Sequence, residues 1–476
     1  MTQRKPLVDA LIEFQQQRPV SFHVPGHKHG ALSGLPDDFK QILPYDLTEL
    51  SGLDDLHYPE GVIEEAQRLL AETYQADHSF FLVNGSTVGN LAMVYAVCKE
   101  GDQVIVQRNS HKSIFHALEL VKVRSIFVSP EWDEVSLTAA GVKLADIEKA
   151  IHTYPKARAV ILTYPNYYGM AAEEMKAIIE LCHAHGIPVL VDEAHGAHFQ
   201  IGAPYPVSAL AMGADAVVHS AHKTLPAMTM GSFLHIQGER VAAVKIKKYL
   251  RILQSSSPSY VIMASLDDAR AYVQNYSQPD KRSFKEKRKQ FVESLKSLPK
   301  MEVFESDDPL KLMLRVPYHS GYQLKEQLEK EGVHVELADP YQVLLILPLL
   351  KHGHGFSFAE VRSRIKEALQ KLKDEPRNVV SVNVQPEDAL SIPEVAFEEM
   401  ETEDGEWISY TKAQGRISAA MVVPYPPGIP LIVAGEKWTL NKLENLMDYL
   451  AAGAQIQGEH RLSEKLIRVL PEIISQ

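Results

Sequence analysis

The sequence predicts an α/β protein with a mostly parallel seven-stranded sheet sandwiched by helices, followed by smaller α+β C-terminal domains. Three observations carry this expectation. Between Phe80 and His235, short β-rich runs alternate with longer helical patterns. Several of those runs are apolar throughout, the pattern of strands buried on both faces of a parallel sheet. Strand–helix alternation of this kind packs as a layered fold whose ligand site lies at the strand ends.

The strands are predicted at 80–83, 103–106, 125–128, 159–163, 189–192, 216–219 and 232–236, and the intervening helices at 88–99, 113–121, 144–152 and 173–185. Before this core, the stretch from Phe22 to Gly34 is rich in His, Pro and Gly and reads as an irregular arm. After Tyr260, one long charged helical stretch is predicted to about Leu298. A mixed segment follows, with strands at 311–316 and 343–348 and a helix at 358–373. A charged, proline-containing join at 374–393 leads to a last segment with a helix at 440–452. The expected division is an arm (1–60), a large domain (61–275), a small α/β domain (276–380) and a C-terminal domain (381–476). No internal repeat or low-complexity tract interrupts it.

Composition narrows the function classes. The chain has 476 residues, 45% of them hydrophobic and 23% charged, which is ordinary for a folded protein of two or three domains. A net charge of -12 argues against nucleic acid as a partner, because phosphate binding needs a concentrated basic surface. Two cysteines, Cys98 and Cys182, sit in apolar helical patterns, so a disulfide framework is not expected and a reducing compartment is. The first residues lack a signal-peptide core and no apolar run has membrane-spanning length, so a cytoplasmic location is expected.

Three short stretches carry chemistry. Asn84–Gly85–Ser86–Thr87–Val88–Gly89–Asn90 follows a strand and opens a helix. Glycine admits close backbone approach, hydroxyls donate, and the helix start offers free N–H groups, which suits a phosphate as well as an ordinary N-cap. Val189–Leu190–Val191–Asp192–Glu193–Ala194–His195–Gly196–Ala197–His198 places an acid at a buried strand end, where it needs a cationic partner. A protonated pyridine nitrogen is one such partner. The letters of Asp192 to His195 also spell a helicase box, but no phosphate-binding Gly-x-x-x-x-Gly-Lys-Ser/Thr loop accompanies them. His195 and His198 do not have helical metal-ligand spacing, and no metal is expected. Ser220–Ala221–His222–Lys223–Thr224 follows the next strand and puts a lysine 31 positions after Asp192 (223 minus 192). A lysine in a pocket with a cationic cofactor is set up for imine chemistry.

A phosphate cup, a strand-end acid and a strand-end lysine, in this order, resemble the pyridoxal 5′-phosphate (PLP) site of the aspartate-aminotransferase-like fold. The chain as a whole resembles the Orn/Lys/Arg decarboxylase family in its short bacterial form. The resemblance rests on His23–Val24–Pro25–Gly26–His27–Lys28, Leu53–Asp54–Asp55–Leu56–His57, Arg108–Asn109–Ser110–His111–Lys112–Ser113, Val191 to His198, Ser220 to Lys223 and Ser255 to Tyr260. Tyr425–Pro426–Pro427–Gly428–Ile429–Pro430, with Gly435–Glu436, adds a C-terminal signature.

The resemblance implies roles residue by residue. Lys223 holds PLP covalently, Asp192 pairs with its ring nitrogen, and His111 stacks on the ring. Gly85, Ser86, Thr87, Ser220 and His222 hold the phosphate, and His195 sits beside the cofactor or the substrate carboxylate. The Ser255–Ser257 stretch, represented by Ser256, reaches a neighbouring subunit, which implies a homodimer or higher homo-oligomer. Asp54, Asp55 and Glu436 are the acids for a substrate's distal cation. The implied reaction is α-decarboxylation of arginine, lysine or ornithine to the corresponding amine in polyamine metabolism. Alternatives on the same fold are an aminotransferase or lyase, or a non-catalytic PLP-binding regulator. Pro226, Met230 and Ala434 stand where family members often carry a small residue, a glutamine and a proline.

Overall fold

The computed structural model describes residues 4–372, 388–400, 405–425 and 428–471. Pro426, Pro427 and most of the 374–393 join lie outside the described residues. The fold is α/β, a large mixed and mostly parallel sheet flanked by helices, with small sheets toward the C-terminus. Chain contacts divide it into two compact units, Met1–Val97 with Ile179–Ser277, and Cys98–Ile178 with Gln278–Gln476.

In the first unit, Val189–Asp192 runs parallel to Ala216–His219. Ala216–His219 pairs antiparallel with Ser232–Ile236, which pairs antiparallel with His78–Leu82. Three of these strands are buried at every residue, and each fully buried Val, Leu or Ile contributes about 1.5–3 kcal/mol. The helix Val62–Tyr74 buries Ile63, Ala66, Leu70 and Tyr74, one stripe at helical spacing.

The second unit holds Gln103–Gln107 parallel to both Arg124–Val128 and Ala159–Thr163. The seven predicted strands of the large sheet are therefore all present, and a short eighth, Leu390–Ser391, pairs antiparallel with Arg124–Val128. A four-stranded antiparallel sheet contains Lys311–Arg315 and Val343–Ile346. The C-terminal core gathers Val422, Ile432, Trp438, Leu443, Leu446, Ile467 and Val469.

One expected helix is two. The stretch after Tyr260 forms Tyr260–Gln274 and then Gln278–Lys296. Pro279 explains the break: it lacks an N–H and fits the first turn of a new helix, not the interior of a continuous one. Among the described residues, no helix is long and apolar enough to cross a membrane. Cys98 and Cys182 are both free and buried.

Candidate active site

The site of the first unit is built where strands end and helices begin. Gly85 adopts φ +77°, a left-handed turn that suits glycine, and the helix Gly85–Val97 starts at once. Gly89 lets that helix settle onto the strands beneath. A Cβ there would lie 2.7 Å from Leu82 Cδ1 and 2.8 Å from Val218 Cγ2.

Three hydroxyls meet at the start of this helix. Ser86 Oγ lies 2.7 Å from Ser220 Oγ and donates to Ser232 Oγ at 3.1 Å. The Gly85 N–H donates to the Met230 carbonyl at 2.9 Å, and Met230 itself has φ +76°. Thr87 is exposed in the first turn. Serine hydroxyls around a helix N-terminus form a donor set for a phosphate dianion.

Asp192 ends its strand and is 3% exposed. Asn90 Nδ2 donates to its Oδ2 at 2.9 Å, and the Ala194 N–H donates to its Oδ1 at 3.2 Å. These two donors fix the carboxylate's orientation. Asn90 is one helical turn beyond Ser86, so the same helix that offers hydroxyls at its start also steers the acid.

Ser220 directly precedes the short helix Ala221–Thr224, which carries His222 and Lys223. The Ser220 N–H donates to the Ala194 carbonyl at 3.2 Å, tying this turn to the one after Asp192. His222 Nδ1 lies 3.0 Å from the Gly231 carbonyl oxygen. Lys223 Nζ lies 2.9 Å from His195 Nε2, and His195 is buried. The constellation Gly85–Ser86–Asn90–Asp192–His195–Ser220–His222–Lys223 is thus held together inside one unit.

The remaining candidates sit as follows. Ser256 is exposed, between Ser255 and Ser257, which are joined by a hydrogen bond from the Ser257 N–H to Ser255 Oγ at 3.2 Å. Asp54 accepts backbone N–H groups of Asp55, Glu60, Gly61, Ile63 and Glu64. Burial pushes its carboxyl up, yet these donors outweigh burial and hold it below the usual carboxylate value. Asp55 Oδ1 accepts the His57 N–H at 2.8 Å.

His111 and Glu436 belong to the second unit. His111 caps the helix Lys112–Val121, with Nδ1 accepting the Ser113 N–H at 3.2 Å. Glu436 is buried against Arg108 at 2.9 Å and Lys442 at 3.3 Å. Burial pushes its carboxyl up, but Arg108 and Lys442 more than offset that and hold it low.

Asn90 and Ser232 were not singled out from the sequence. Asn90 was legible in principle, since Ser86 and Asn90 are four residues apart on one helix face. Ser232 carried no signal, because only the fold brings the start of its strand to Ser86.

Comparison with known proteins fits this geometry. The model of the Orn/Lys/Arg decarboxylase major domain matches residues 5–311, and that of the C-terminal domain matches residues 378–460. The chain belongs to the Orn/Lys/Arg decarboxylase family. It is a PLP-dependent carboxy-lyase of basic amino acids, and the hydroxyl cluster, Asp192 and Lys223 fit that cofactor.

The chain is 46% identical to the uncharacterized protein YaaO of Bacillus subtilis, over 98% of each chain. It is 34% identical to the arginine decarboxylase of the same organism, again over 98% of each. The lysine decarboxylase LdcF of Francisella novicida has the same fold, with a TM-score of 0.81 and 19% identity over 98% of this chain and 81% of that one.

Proposed function

We propose that this enzyme decarboxylates arginine to agmatine, with lysine as the second substrate to test and ornithine as the third. The support for arginine is the full-length likeness to an arginine decarboxylase at 34% identity. The lysine decarboxylase LdcA of Pseudomonas aeruginosa is 24% identical, and 75% of its length is covered. The amine product would feed polyamine synthesis.

The observation that carries the catalytic reading is the contact of Lys223 with His195, in one hydrogen-bonded unit with Asp192 and the hydroxyl cluster. PLP bound there supplies an electron sink for the bond pair left when carbon dioxide departs. Lys223 would hold the cofactor, and His195 would exchange a proton with Lys223 Nζ. Asp192, steered by Asn90, would face the ring nitrogen. Ser86, Ser220 and Ser232, with the start of the helix Gly85–Val97, would hold the phosphate, helped by Thr87 and His222. His111 would cover the ring, its Nδ1 already engaged by Ser113. The exposed Ser255–Ser257 stretch supports a role for Ser256 across a homodimer interface.

The acid for the distal cation is proposed among Asp54, Asp55 and Glu436, and their surroundings rank them. Glu436 already faces two cations, and Asp54 already serves five backbone donors. Asp55 is the most lightly engaged of the three. The two free, buried cysteines support an intracellular setting.

The test is carbon dioxide release from arginine, lysine and ornithine, each given separately to the PLP-loaded protein. Release from arginine with an equal amount of agmatine supports the proposal. Release from lysine or ornithine in preference to arginine would overturn it.

A further inference from the structure

A row of polar side chains crosses the strands of the first unit, where apolar residues are expected. Ser79 is paired in register with His235. His235 is paired with Val217, two residues before His219. Glu193 directly follows the strand Val189–Asp192. Ser79 Oγ lies 2.7 Å from His235 Nδ1, and His235 Nε2 lies 3.1 Å from His219 Nδ1. His219 Nε2 lies 3.1 Å from Glu193 Oε1, as an ion-pair contact off the line of a good hydrogen bond. Glu193, His219 and His235 are all 0% exposed.

Tyr74 of the helix Val62–Tyr74 covers the row. Its ring stacks on His235 with centroids 4.5 Å apart, and its hydroxyl donates to the Ala197 carbonyl at 2.7 Å. Burial and the nearby Glu193 push its phenol up, so it stays a donor. The second Glu193 oxygen accepts the Ala209 N–H at 2.6 Å.

A buried carboxyl group needs polar partners, and Glu193 has the Ala209 N–H on one oxygen and the His219 imidazole beside the other. Burial and the neighbouring His219 hold the His235 pKa well below the usual value, so His235 is a neutral imidazole.

We propose that the buried contact between Glu193 and His219 positions the cofactor-binding turns. Glu193 is the residue after Asp192, and His219 is the residue before Ser220 and three before His222. The pair therefore clamps the two strand ends that carry the acid and the lysine. This positioning role rests on the function proposed above.

PLP retention by the apoprotein, measured by equilibrium dialysis, tests this. Glu193→Gln, with native circular dichroism, should weaken retention roughly tenfold, as loss of an orienting partner does, and Glu193→Asp should restore part of it. Retention by Glu193→Gln within about twofold of wild type would overturn the positioning role. Should Glu193→Gln not fold, His219→Gln takes its place under the same criterion. Failure of the wild-type protein itself to retain PLP would instead sink the proposed function, so the two failures are distinguishable.

Discussion

Lys223 Nζ lies 2.9 Å from His195 Nε2, so the proposed cofactor lysine and a buried imidazole share one proton-exchange contact. At that distance one nitrogen donates and the other accepts. His195→Leu removes the partner and should lower kcat by roughly 10²–10⁴-fold, the usual scale for a lost acid–base group. His195→Gln keeps a hydrogen-bonding group and should fall between. Steady-state carbon dioxide release on both variants checks the order, and a fully active His195→Leu would contradict it.

Asp192 is held by Asn90 at 2.9 Å. Asp192→Asn keeps the shape and removes the charge, so kcat should drop by roughly 10²–10³-fold, as for other preorganised electrostatic groups. Asn90→Leu should cost less, because it loosens the carboxylate without neutralising it. Kinetics with saturating PLP distinguish a chemical defect from poor cofactor binding.

Asp54 gives a pH prediction. Its folded carboxyl is held below its ordinary value of 3.8, chiefly by backbone N–H donors acting against burial. A depressed carboxyl contributes stability that is fully present above the unfolded value and is lost as pH falls through the folded one. Asp54→Ala should therefore cost about 1–2 kcal/mol at neutral pH, the scale of a lost helix cap. The difference from wild type should shrink below pH 3.8. Urea unfolding at several pH values measures both.

Asp55→Asn should raise KM for arginine more than it lowers kcat, because a group that holds the distal cation contributes binding in both ground and transition states. Glu436→Gln should chiefly destabilise the protein, since it leaves the half-buried Arg108 and Lys442 beside a neutral amide. Initial-rate kinetics and thermal melts on the two variants separate these effects.

Strand positions were legible because buried parallel strands are continuous apolar runs, as in the strand Ala216–His219 with its Ala-Val-Val core. The cup, Asp192 and Lys223 were legible because each follows such a run directly. What stayed hidden depends on distant strands meeting. Ser232 joins Ser86 and Ser220 only after its strand pairs beside Ala216–His219. His235 likewise looks like an ordinary strand residue until Ser79 and His219 flank it. Met230 acts through its backbone carbonyl on Gly85, a role no side-chain pattern reveals. The helix break is legible only from Pro279 itself, because the charged pattern on either side is continuous.

The most direct test of the account is where PLP attaches. Borohydride reduction of the PLP-loaded protein, followed by proteolysis and mass spectrometry, should place the phosphopyridoxyl group on Lys223. Lys223→Ala should lose both that modification and the visible absorbance of the bound cofactor. A modification on another lysine, or an unchanged visible band in Lys223→Ala, would contradict the assignment of Lys223.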